Sequence, residues 1–330
     1  MKKTFLFLSV MTLILLLLGF SGVEAGQGSR TPPRIGILIP ESLRPESQAI
    51  KGLRDGLKEL GYKEEKNILV EIRNAKGDRA ALKPAVDELV GKKFNLIFTT
   101  GTRATQAAKT ATTEIPIVFT HPADPVALGL VKSMEHPGGN ITGVAGLASQ
   151  MTGKRMEALK QTIPNVRRVH IFFDANNKFS QENFASAQKE AQKLGIEVAA
   201  HGVKAADELK SSLGQLQKTE GDVLFHVPDD LVEGQVDFIF EMARQKGLPT
   251  MFNEEVWVIK GALAGFGPSY YQMGRQASRL VDKILKGQSA GEIPVERAVK
   301  FDLVINFRVA NTMGLTIPPS VLKKADKVIR

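Results

Sequence analysis

The feature that most constrains this chain is a strand-and-helix pattern that occurs twice. Arg34-Ile35-Gly36-Ile37-Leu38-Ile39, closed by Pro40, is a continuous apolar run of the kind buried on both faces of a parallel sheet. Apolar residues then fall at Ile50, Leu53, Leu57 and Leu60, three and four apart, which predicts an amphipathic helix ending at Gly61. Residues 68–72 predict a second strand, 82–90 a second helix and 95–99 a third strand. An alanine-rich helix over 102–112 and a strand over 115–119 follow. This alternation predicts βαβ units. Arg168-Val169-His170-Ile171-Phe172-Phe173 restarts the series, and Ala191-Gln192-Lys193-Leu194-Gly195 repeats the end of the first helix at the same offset. Residues 222–225 and 248–253 take the places of the third and fourth strands. The expected fold class is α/β, with two similar doubly wound parallel-sheet lobes.

Pro137-Gly138-Gly139-Asn140-Ile141-Thr142-Gly143 is rich in turn formers and reads as the connection between lobes. A helix from Tyr270 to Gly287 and a strand over 301–306 follow the second lobe. Their surplus predicts that the chain returns to the first lobe and crosses again, giving a hinge of several strands. The expected division is 33–143 with 267–292 for lobe 1, and 144–266 with 293–330 for lobe 2. After the Pro318-Pro319 break, the tail to Ile329 reads as a short amphipathic helix docked on a lobe.

The start of the chain reads differently. Lys2 and Lys3 precede an uncharged apolar stretch, then small residues and Val23-Glu24-Ala25, the pattern of a secretory signal peptide over 1–25. An uncleaved anchor is the competing reading, because about 20 apolar residues can span a bilayer. Either way the expected setting is periplasmic. There the formal net charge of +9 has no nucleic-acid target, and the basic pairs Lys92-Lys93, Arg167-Arg168 and Lys323-Lys324 are scattered. The absence of cysteine from all 330 residues removes disulfides, thiolate metal sites, a cysteine nucleophile and a lipid-modified cysteine, so no lipoprotein is expected.

In open parallel sheets, ligands bind beyond the carboxyl ends of the strands. That rule selects Glu41, Thr100, Gly101, Thr102, Thr120, His121 and Asp124 in the first lobe. In the second it selects Phe173, Asp174, Asn177, Asp229, Asn253 and Glu254, with Phe266 beside them. The set suits a small zwitterion. Free N–H groups at the Thr100-Gly101-Thr102 helix start can hold a carboxylate, and Asp124, Asp174, Asp229 or Glu254 an ammonium. Phe119, Phe173 or Phe266 can cover an apolar side chain. Singly, each Asp, Asn or Thr is equally explained as a helix cap. His170 and His226 sit in apolar runs and read as satisfied core histidines. Catalytic patterns are missing: there is no G-x-S-x-G, no G-x-G-x-x-G and no metal-ligand spacing among the five histidines. Thr152-Gly153-Lys154 only faintly suggests a phosphate loop, with Arg155 where Ser or Thr is needed.

Several segments together resemble the substrate-binding proteins of ABC transporters, in the group that includes tryptophan- and tyrosine-linked uptake components. They are Gly52-Leu53-Arg54-Asp55-Gly56-Leu57, Asn74-Ala75-Lys76-Gly77-Asp78, Asp124-Pro125-Val126, Pro137 to Gly143, and Gly314-Leu315-Thr316-Ile317-Pro318-Pro319. The resemblance implies a type I periplasmic-binding-protein fold without a cofactor. It implies a monomeric, non-enzymatic receptor that closes over a small-molecule solute, an amino acid and in relatives an aromatic one, and presents it to a membrane permease. By position it points to the Thr102 loop, Asp124, Asp229 and Glu254. Ala123 stands where the family often has serine, and Phe173-Asp174-Ala175 where it often has Tyr-Asn-Pro. A membrane sensor as the client, a sugar as the solute, and an exported two-lobed enzyme are the alternatives.

Overall fold

The computed structural model describes residues 31–40, 48–121 and 124–330, so the signal-peptide region and Glu41 lie outside the described residues. The first lobe begins β1 (Arg34–Ile39), α1 (Gln48–Glu59), β2 (Leu69–Asn74), α2 (Arg79–Gly91) and β3 (Leu96–Thr100). It continues with α3 (Gly101–Ala111), β4 (Ile117–His121) and β5 (Ile141–Ala145). The second lobe runs α4 (Thr152–Thr162), β6 (Arg168–Asp174), α5 (Lys178–Lys193), β7 (Glu197–Val203), α6 (Ala206–Gln215) and β8 (Asp222–Phe225). It is extended by α7 (Asp230–Glu233), α8 (Val236–Lys246), β9 (Thr250–Phe252), α9 (Glu255–Lys260) and β10 (Ala264–Pro268). The remaining elements are α10 (Tyr270–Leu285), β11 (Glu296–Arg297), β12 (Phe301–Asn306), α11 (Phe307–Thr312), α12 (Pro319–Lys324) and β13 (Lys327–Ile329).

The expected duplication is present. One sheet has the order β11-β5-β4-β3-β1-β2 and the other β13-β12-β10-β9-β8-β6-β7, so both contain the same five-strand series. All pairs are parallel except β10 with β12. Each sheet is covered on both faces. Ile35, Ile37 and Ile39 point into one core with α1 and α10, while Leu38 points into the other with Leu89 and Phe94. The same alternation places Val169 and Ile171 opposite Phe172 in the second lobe. Fully burying each such side chain contributes about 1.5–3 kcal/mol.

Three differences from expectation have clear causes. The glycine-rich segment before Gly143 is not the connection between lobes: Ile141–Ala145 is a fully buried strand paired with β4. Gly143 is needed there because a Cβ would fall 2.3 Å from the Phe119 carbonyl oxygen. Turn formers precede this strand and mask it. The tail is not a helix throughout, since Lys327–Ile329 forms an edge strand on β12. Finally, β10 stays in the second sheet to Pro268 while β11 joins the first. The chain therefore crosses between sheets three times, each crossing falling a few residues after the expected boundary. Among the described residues, no helix is long and apolar enough to cross a membrane.

The returning helix α10 is fitted to α1 by small residues. A Cβ on Gly52 would lie 1.9 Å from the Tyr271 carbonyl oxygen, and one on Gly274 would lie 2.0 Å from that of Ala49. Tyr271 Oη donates to Asp55 and Tyr62 Oη to Asp282 across the same pair. Backbone cannot yield as a side-chain tip can. Gly52→Ala is therefore expected to cost about 3 kcal/mol by overpacking, read as a lower urea midpoint at unchanged slope. An unchanged midpoint would mean that the two helices separate without loss.

In the second lobe, Asp222 is buried and accepts from Arg168 Nε and Nη2 (both 3.0 Å) and from the Thr219 N–H (2.8 Å). His170 Nε2 stands 3.2 Å from Asp222 Oδ2, and His170 Nδ1 lies 3.0 Å from His201 Nε2. His170 is thus buried in the core as its apolar surroundings suggested, with Nδ1 paired to His201, while Nε2 lies beside Asp222 without a well-formed hydrogen bond among the described residues.

Candidate functional site

At the carboxyl end of the first sheet, Thr100 is buried and precedes α3 without making a side-chain cap. Gly101 opens the helix at φ +76°, a conformation that favours glycine. Thr102 and Arg103 occupy the first turn, whose N–H groups lack intrahelical partners. The Thr105 hydroxyl donates back to the Gly101 carbonyl at 2.8 Å and fixes this start. Thr120 is fully buried near the end of β4, and its hydroxyl has no hydrogen-bond partner among the described residues. His121 ends β4 opposite Ala145; the placement of its ring lies outside the description. Asp124 Oδ1 accepts from the N–H groups of Val126 and Ala127, a local turn.

In the second lobe most of the expected carboxylates and amides hold backbone. Asp229 Oδ1 accepts from Val232 N–H and caps α7, and its Oδ2 accepts from Asp174 N–H at 2.7 Å. Asp174 Oδ1 accepts from Asn176 N–H, and the exposed Asn177 caps α5. Phe173 stacks on Phe184 and Phe266 on Phe301, so both rings have packing partners. Asn253 and Glu254 are different. Both are buried, Asn253 Nδ2 donates to Glu254 Oε1 at 3.3 Å, and Asn253 Oδ1 is unpartnered among the described residues. Gly267 allows β10 to lie against this turn, since a Cβ there would stand 1.7 Å from the Asn253 carbonyl oxygen.

Four residues outside the expected set complete this corner. His226 lies just past the end of β8 and is a core histidine as expected, but its ring is not satisfied as that expectation requires. It is 1% exposed and stacked on Phe252 at 4.6 Å, and neither ring nitrogen has a well-formed hydrogen bond among the described residues. Burial, reinforced by the Arg155 charge and opposed by the neighbouring Asn253 amide, depresses its pKa to about 3. Arg155 in α4 is fully buried over the Phe225 ring, with Nε and Nη1 unpartnered among the described residues. Burial lowers its pKa to about 10, against the pull of Glu254. Glu233 ends α7 with its side chain 25% exposed and Oε1 3.9 Å from His226 Nε2. Burial, then the charges of Glu254 and Asp230, raise its carboxyl well above the usual range, while Arg103 pulls it down. Arg103 reaches across from the first lobe to stand 4.0 Å from Asp230.

The strand-end rule cannot find Arg155 or Glu233, because both lie on helices. A signal for Arg155 did exist: it shares the buried face of α4 with Leu159 and Thr162, at helical spacing. A concavity of about 410 Å³ beside Met134, Gln276 and Arg297 is lined by none of these groups.

Two like sheets with three crossings and polar groups gathered at facing strand ends define the two-lobed binding proteins of the type I periplasmic fold. Residues 35–329 match the family described as ABC transporter substrate binding protein, and the chain belongs to that family. It is 32% identical over 259 residues to a tyrosine-binding protein of Clostridioides difficile (strain R20291), a match covering 78% of this chain and 74% of that one. A solved conserved domain protein from Vibrio cholerae shares 30% identity at a TM-score of 0.73, covering 91% of this chain and 100% of the other. An ABC domain in complex with L-Trp from Streptococcus pneumoniae shares 26% identity at a TM-score of 0.74, with the same coverage.

Proposed function

We propose that this protein is an extracytoplasmic, non-enzymatic receptor that closes its two lobes over an amino acid and delivers it to the permease of an ABC importer. The observation that carries this reading is the polar corner itself. Arg103 of one lobe stands 4.0 Å from Asp230 of the other, and the buried Thr120 hydroxyl, Asn253 Oδ1 and the His226 ring nitrogens have no well-formed hydrogen bond among the described residues. Leaving such groups unpaired costs about 1–3 kcal/mol each, a cost that a polar solute would relieve. The first-turn N–H groups of α3 suit a carboxylate. Relatives named for tyrosine and solved with L-Trp support an aromatic side chain. The lysine-led apolar segment before residue 26 supports export, and the protein acts as a monomer.

A thermal-shift screen of residues 26–330 against amino acids, sugars and nucleosides tests this. A solute at 100 times its dissociation constant adds about 2.7 kcal/mol, so the expected result is a rise of several degrees confined to a few related amino acids. A response to sugars alone would overturn the solute class.

A further inference from the structure

Of the carboxylates around this corner, Glu233, 3.9 Å from the buried His226 Nε2, is the one whose surroundings call for a cation. Asp124, Asp174 and Asp229 already accept from backbone N–H groups. Glu254 lies in the field of the enclosed Arg155 guanidinium. Glu233 is faced by Asp229 and Asp230 from the start of its own helix, by Glu254 from the cap of α9 and by His226 from the end of β8. The Arg103 guanidinium, whose nearest carboxylate oxygen is that of exposed Asp230, supplies the opposing positive charge from the first lobe.

A second feature points the same way. The His226 ring, 1% exposed, has Nε2 3.9 Å from Glu233 Oε1, and neither nitrogen makes a well-formed hydrogen bond among the described residues. Beside it, Asn253 Oδ1 is a buried acceptor whose one neighbouring donor among the described residues is the His226 ring, and the two do not form a well-aligned hydrogen bond. A primary ammonium brings three N–H donors on one charged centre. It can satisfy the carboxylate, the amide oxygen and an imidazole nitrogen together, which a neutral hydroxyl cannot.

We infer that Glu233, with Asn253 and His226 beside it, receives the ammonium group of the solute in the second lobe. This rests on the amino-acid receptor reading above. It makes Glu233 a specificity residue: solutes that keep the carboxylate and side chain but lack the amine are rejected.

The test is a two-by-two cycle by isothermal titration on wild type and the near-isosteric Glu233→Gln. Each protein is titrated with the L-amino acid that binds most tightly among the twenty, and with its counterpart carrying hydrogen in place of the ammonium. For L-tyrosine that counterpart is 3-(4-hydroxyphenyl)propanoate. Truncating one side of a buried charge pair typically costs enough to weaken binding at least ~100-fold. The expected result is a loss of about that size for the amino acid on Glu233→Gln and for the deaminated compound on wild type. The deaminated compound should bind both proteins within about threefold, because its partner is already gone. Equal losses for both compounds on Glu233→Gln would mean that the residue only supports the fold, and would overturn the inference. So would full affinity of the variant for the amino acid. If wild type binds none of the twenty, the receptor reading fails, and this inference with it.

Discussion

Between pH 7.5 and pH 5, His201 and His226 together withdraw about 3 kcal/mol of folding stability, a loss that a His201→Gln/His226→Gln variant does not show. Burial, aided by neighbouring positive charge, depresses both rings, His226 to about 3 and His201 to about 4. The unfolded chain binds these protons at about pH 6.5. Each histidine therefore contributes its full share above that value and loses it as pH falls toward the folded pKa. Fully buried His226 loses about 2 kcal/mol by pH 5, and half-buried His201, partly screened by water, about 1 kcal/mol. Glu233 works the other way, because its raised pKa lets the folded state hold a proton that the unfolded chain releases. The measurement is accordingly a difference: urea unfolding of wild type and variant across this range, with the gap in stability changing with pH. A constant gap would mean that the rings reach water in the folded state.

Asp222→Ala is expected to cost about 3 kcal/mol, because it removes the acceptor of two charge-assisted hydrogen bonds from partly buried Arg168 and leaves buried His170 without its neighbour. Burial alone would raise the Asp222 carboxyl. The two Arg168 hydrogen bonds, the Thr219 N–H and His170 outweigh it and hold it well below the usual carboxylate range. A carboxylate lowered in this way stabilises the fold above about pH 4 and loses its contribution below that. This acid window is separate from that of the histidines. Urea midpoints at pH 7 read the main effect. A loss under about 1 kcal/mol would show that Arg168 is equally well served by exposed Glu197, 3.7 Å away.

What was legible in the sequence follows from burial symmetry. Strands such as Arg34–Ile39 and Arg168–Asp174 lie between two helical layers, so they read as unbroken apolar runs, and their recurrence announced two lobes. Ile141–Ala145 is equally buried, but its central glycine and the Pro-Gly-Gly-Asn before it carry the signature of a turn. The edge strand Lys327–Ile329 pairs on one side only and has three residues, too few to show alternation. Among the strand-end selections, Thr120, Asn253 and Glu254 are buried, and the first two carry polar atoms without a partner among the described residues. The strand-end rule also returned Asp124, Asp174 and Asp229, since a cap and a ligand carboxylate look alike until the backbone N–H groups they meet are known. Arg155 escaped because a cation on a helix is ordinarily solvated, and only the position of α4 against Phe225 encloses it.

The three crossings set the order in which the molecule can be finished as its chain emerges from the ribosome. Strands β1 to β5 appear first, yet α1 waits for α10, and Ala49 cannot meet Gly274 until the whole second lobe has been synthesised. That lobe in turn lacks β12 and β13 until the last residues arrive. Neither half can complete itself while the other is unmade. Contacts this distant in sequence close slowly and leave apolar helix faces open in the meantime. A chain stopped after Pro268 carries two unfinished sheets, and such a fragment is an aggregation hazard and not a half-receptor.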